Sequence, residues 1–174
     1  MAYEFLALAY ESKYVFDTIR SPMSYSNEYQ DMPKKAGETD AEWDRRGPYY
    51  AILKRVERHK DFFERAFRLQ PRCMAVFGTS AEDIFFLMHK SRREIEVSAQ
   101  MLAWRQGFSA ELHEQMERDI WDQSGVEAEK DKVGNRLKDF RLKTEAMCRP
   151  VVDRVPGNRR FLWRPRIRAF LGGK

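Results

Sequence analysis

Little in this chain interrupts a helix. Of 174 residues only 9 are glycine and 7 are proline, and valine and threonine are sparse. That composition argues against a sheet-rich fold, which draws on β-branched residues, and no low-complexity tract is present. Cysteine is scarcer still. Cys73 and Cys148 stand far apart and form no C-x-x-C pair. A zinc knuckle and a thioredoxin-type dithiol are excluded, and both thiols are expected to be reduced and partly buried. Long apolar runs are missing as well. The longest stretch free of Asp, Glu, Lys and Arg runs from Cys73 to Ala81, far short of the roughly 20 residues that cross a bilayer. Met1 to Tyr10 carries Glu4 and no basic residue, unlike a secretory leader. The expected location is cytoplasmic.

Acidic residues are absent from one region only. Residues 154–174 hold seven basic side chains (Arg154, Arg159, Arg160, Arg164, Arg166, Arg168 and Lys174) and no acid. The formal net charge is +5, so the remaining 25 basic and 27 acidic residues leave the body near neutrality. A neutral body with a basic tail points to one local contact rather than a nucleic-acid-binding surface over the whole protein.

What is plentiful favours helix: Leu, Ala, Glu, Lys, Arg and Met, with 43% apolar and 34% charged residues. In Tyr3 to Ile19 the residues Phe5, Leu8, Ser12, Phe16 and Ile19 recur at helical spacing. Residues 21–47 are polar and broken by Pro22, Pro33 and Gly37, which predicts an extended connection with one short helical turn near Ala41 to Arg46. Gly47-Pro48 is expected to open a long helix carrying Tyr49, Ile52, Leu53, Val56, Phe63, Phe67 and Gln70 on one face. That helix is expected to kink at Pro71 and to end at Gly78. Thr79-Ser80-Ala81-Glu82 matches a capping box, and Ile84, Leu87, Met88, Ser91, Ile95, Ser98, Met101 and Leu102 continue the stripe. Helices over about 48–77 and 80–106, joined by so short a turn, make an antiparallel hairpin. A third helix capped by Ser109 carries Leu112, Met116 and Ile120, with Trp121 beside them and Gly125 as its stop. A fourth, Glu127 to Cys148, aligns Val133, Leu137, Phe140, Thr144 and Met147 and should end at Pro150. The expected fold is an all-α helical bundle built on the hairpin. Residues 1–153 form one helical domain and residues 154–174 a basic aromatic tail.

Chemistry is harder to find. Val56, Phe86 and Ala110 stand three residues before His59, His89 and His113, so the Glu-x-x-His ligand pattern of a di-iron bundle is missing. His113-Glu114-Gln115-Met116-Glu117 places Glu where a zincin needs its second His, and one His–Glu pair supplies too few ligands for a metal site. Glu57, Asp61 and Glu64 share a face but sit among Arg58, Lys60 and Arg65, the pattern of surface ion pairs rather than of acid–base catalysis. No phosphate-binding glycine loop and no nucleophile elbow is present. No catalytic residue, metal or cofactor is therefore expected. Phe62 and Phe85 are expected to widen the buried face against another helix or subunit.

Two functional readings follow, ahead of a third, an enzyme with an unrecognised site, which the failed motif checks disfavour. The first is a non-enzymatic interaction or scaffold module that self-associates through the hairpin, because long amphipathic helices bury more surface as oligomers. The alternative rests on the tail, where Arg159, Arg160, Arg164, Arg166 and Arg168 interleave with Trp163 and other apolar residues. Such a segment can grip phosphates while its aromatics stack on bases or enter an anionic membrane surface. It can equally fold back onto the bundle with its arginines in water.

Overall fold

The computed structural model describes residues 1–123 and 129–154. Among them the chain is helical with no strand. The elements are α1 (Ala2–Ile19), a single 3-10 turn (Ser26–Glu28), α2 (Asp40–Arg58), α3 (Lys60–Phe77), α4 (Thr79–Trp104), α5 (Ala110–Ile120) and α6 (Lys132–Val152). No described helix is long and apolar enough to cross a membrane.

The central helix is α4, packed on α2, α3, α5 and α6, while α1 lies chiefly along α6 and also meets α2 and α3. The stripe on α1 is buried as its spacing predicts: Phe5, Leu8, Ser12, Phe16 and Ile19 all face inward. Aromatic rings form the middle of the core. Phe5 stacks on Phe85 with centroids 4.5 Å apart, and Phe140 tilts against both rings at 6.3 and 6.4 Å. Phe16 meets the edge relation of Phe63 at 5.8 Å. Phe62 and Phe85 are thus covered within the chain, Phe85 by Phe5 of α1.

The hairpin exists, with its first arm differently built. Its turn is a single residue, Gly78, at φ 72°. A side chain resists that left-handed backbone, so glycine suits the position. Because Gly78 itself is the N-cap of α4, Thr79 is already helical and makes no side-chain cap. The capping box read there is corrected. The working box lies upstream, where Thr39 Oγ accepts from the Glu42 amide and the Glu42 carboxylate accepts from the Thr39 amide. That satisfies the free amides of a helix starting at Asp40, eight residues before the expected start at Pro48.

Pro48 therefore sits inside α2, where it forfeits one backbone hydrogen bond. Tertiary packing overrides the local signal. The Tyr29 ring lies over Gly47, where a Cβ would come within 2.5 Å of the ring, and Arg46 beside it is buried. The arm is also interrupted at His59, which divides α2 from α3. Past the break the buried face is Phe62, Phe63, Ala66, Leu69 and Cys73, and Phe67 is 54% exposed rather than in the core. On α4, Leu87 is only partly buried, whereas Ala81, Phe85 and Ala99 join the face. Pro150 does not end α6. The helix runs two residues further and seats buried Val152 in the core. It starts at Lys132 behind an Asp131 cap, not at Glu127, which lies outside the described residues together with Gly125.

Three buried arginines tie the irregular segments down. Arg55 donates to the carbonyls of Ser21 and Met23 and, through Nε and Nη2, to the Glu28 carboxylate at 2.9 and 2.7 Å. Arg46 grips Glu38 with two nitrogens and donates to the carbonyls of Pro33 and Ala103. Arg20 binds Asp131 and the carbonyl of Trp121. The connection thus adds charge-assisted hydrogen bonds to its few apolar anchors, Met32 and the Tyr29 ring.

Candidate functional site

The outward face of α1 carries an aromatic ridge. Tyr3, Ala7, Tyr10 and Tyr14 follow one another at spacings of four, three and four, which sets them on one side of a helix. They lie opposite the core stripe. Tyr3 is 69% exposed, Tyr10 44% and Tyr14 70%. On its α6 side the ridge is anchored: the Tyr10 hydroxyl donates to Glu145, accepts from Arg149 Nη2 at 2.7 Å, and the Arg149 guanidinium lies 5.9 Å from its ring.

A groove runs along each side of the ridge. One, of about 390 Å³ between α1 and α3, is floored by Leu8 and Leu69. Its rims are tied by Arg65 to Glu11 at 2.5 Å and by Arg72 to Glu4 at 3.4 Å. The other, of about 380 Å³ between α1 and α6, is lined by Tyr3, Leu6, Tyr10, Arg149 and Val152. Ala7 lines both, so the ridge dips to a saddle between Tyr3 and Tyr10. Singly exposed apolar residues are ordinary on a protein surface, but an ordered row flanked by two grooves is a shape that can take a helix. The 3.6-residue period read for the core predicts this opposite face too. The sequence reading missed it because tyrosine fits either side of an amphipathic helix.

The residues singled out from the sequence fall as follows. The tail residues Arg159, Arg160, Trp163, Arg164, Arg166 and Arg168 lie outside the described residues. His113 Nδ1 stands 3.6 Å from Glu117 Oε2, while Glu117 Oε1 accepts a 2.8 Å hydrogen bond from Tyr49 Oη. The Tyr49 hydroxyl is held well above its usual pKa, first by burial and then by this bond to Glu117. Among the described residues no group of three or more His, Cys, Asp or Glu is placed to hold a metal ion. Glu57 and Glu64 pair with Lys60 at 3.8 Å and Arg68 at 2.8 Å. Both cysteines are buried, and burial pushes each thiol up to about 11, which leaves little thiolate at neutral pH. His89 lies flat on Phe67, centroids 4.4 Å apart, with Nε2 3.0 Å from Gln70 Oε1 and Nδ1 buried without a protein partner.

Compared with known proteins, the chain matches no family model, no curated protein and no solved structure.

Proposed function

We propose that this protein is a non-enzymatic interaction module that pairs with a second copy of itself through the outer face of α1. The spacing of the ridge supports the reading. Tyr3, Ala7, Tyr10 and Tyr14 are symmetric about the point between Leu8 and Ala9. A two-fold axis there sets Tyr3 against the other copy's Tyr14 and drops Tyr10 onto its Ala7 saddle, as an isologous contact requires. The flanking grooves receive the tyrosines from either side.

At about 200 Å² per tyrosine, the exposed parts of three rings amount to roughly 350 Å² on each copy. That is small for a stable complex, so the dimer is a transient one. The hairpin, where the sequence alone places the contact, has Phe62 and Phe85 buried within the chain. Sedimentation velocity from micromolar to millimolar protein tests the proposal. The expected result is a concentration-dependent dimer that Ala7→Arg and Tyr14→Lys abolish without loss of helical signal. A monomer throughout, or a dimer unaffected by both substitutions, refutes it.

The seven unopposed charges of residues 154–174 support the second reading, contact with nucleic acid or an anionic membrane. Its test is retention on heparin or anionic vesicles that weakens with salt and disappears on deletion of that segment.

A further inference from the structure

A cleft of about 350 Å³ opens where α2, the end of α4 and the start of α5 converge, away from the α1 face. Its apolar side is made by Tyr49, Leu102 and Phe108, and its polar side by Arg45, Arg105 and His113. The volume lies at the lower end for small-molecule sites, and an apolar wall with a few converging polar groups is their usual make-up.

The charges in the cleft are unequally committed. Arg46, which also lines it, is saturated by Glu38 and by the carbonyls of Pro33 and Ala103, and stands over the Trp104 ring at 5.2 Å. Glu42, also in the lining, accepts the amide and hydroxyl of Thr39 through one oxygen, Oε2. Glu117, behind Tyr49, takes the tyrosine hydroxyl. Arg45 feels the charge of Glu42, but neither Arg45 nor Arg105 makes an ion pair with a carboxylate among the described residues. Two guanidinium groups are left beside an apolar wall with no described carboxylate in ion-pair contact.

We infer that this cleft binds a small organic carboxylate, with its oxygens on the Arg45 and Arg105 guanidinium groups and its apolar body against Tyr49, Leu102 and Phe108. A planar guanidinium fork matches a carboxylate edge in a way a lysine does not. The apolar wall requires more than a bare ion, so affinity depends on both halves of the ligand. The inference is independent of the α1 contact, which lies on other helices.

Calorimetric titration of the full chain with benzoate tests it, with acetate as the anion lacking an apolar body and benzamide as the neutral isostere. Benzoate is expected to bind, and acetate and benzamide to bind about ten-fold more weakly or worse. Arg45→Gln and Arg105→Gln should each weaken benzoate by about ten-fold, the worth of one charge-assisted contact. Both positions are solvent-exposed, so folding is retained and is checked by circular dichroism. Arg93→Gln, exposed on α4 and outside both the cleft lining and the α1 grooves, should change nothing. Absence of benzoate binding at millimolar concentration, equal binding of benzamide, or indifference to both substitutions overturns the inference.

Discussion

Replacing Asp131 by Asn should be among the most damaging single-atom changes available in this protein. Arg20 and Asp131 form a two-bonded ion pair at 2.8 and 3.0 Å with side chains only 3% and 4% exposed. Arg20 also donates to the Trp121 carbonyl at 2.6 Å, so the pair joins the ends of α1 and α5 to the start of α6. Asp131 has a second duty, accepting the Gly134 amide at 2.7 Å as the cap of α6. Glycine is needed there, because a Cβ at 134 would lie 2.3 Å from the carboxylate. Asn keeps a cap oxygen and removes the charge, which leaves a buried guanidinium uncompensated. Breaking a buried pair from one side costs about 3–5 kcal/mol. Asp131→Ala should cost roughly 1 kcal/mol more, for the lost cap. Arg20→Met combined with Asp131→Asn should be less damaging than the two single losses added, by about 1 kcal/mol or more, since the second change removes a charge already stranded. Urea unfolding followed by far-ultraviolet circular dichroism measures the wild type and the four variants, Arg20→Met alone included. A change within about 0.5 kcal/mol for Asp131→Asn, or strict additivity in the cycle, refutes the reasoning.

Three further outcomes are expected. Phe85→Ala, in the ring stack at zero exposure, should destabilise by about 3–5 kcal/mol in the same assay, while Phe86→Ala at 60% exposure should stay within about 0.5 kcal/mol. Thr39→Ala removes a working cap and should cost about 1 kcal/mol, whereas Thr79→Ala should be nearly silent; equal effects would mean that the capping assignment is wrong. Burial, with Arg92 adding to it, holds the His89 pKa below its ordinary 6.5, and burial then Arg58 does the same to His59. The unfolded chain therefore binds protons more readily than the folded one just below that value. Their contribution is complete above about pH 6.5 and is lost as the pH falls toward the depressed folded values. His89→Phe should flatten that acid slope in pH-dependent melting, and an unchanged slope would count against it.

The helical class was legible because amphipathic spacing is local. The buried face of α1, Phe5 through Ile19, follows from periodicity alone, as do the Ser109 cap of α5 and the turn at Gly78. The start of α2 and the end of α6 were not legible, because Pro48 reads locally as a helix start and Pro150 as a stop, and the packing of Arg46 and Gly47 upstream and of Val152 downstream outweighs both. Nor does any spacing announce that Arg20, Arg46 and Arg55 are buried. An arginine reads as solvated until distant partners such as Asp131, 111 residues away, meet it in space. The same holds for the two functional surfaces. The tyrosine ridge lies in one helix and its period was present from the outset, but only the packing of α3 and α6 against the other sides of α1 left that face open. The cleft draws on Arg45, Arg105 and His113 from three separate segments. Hydrophobic periodicity decides which side of a helix turns inward; which outward sides remain uncovered, and which charges meet, depends on contacts far apart in the chain that local sequence does not encode.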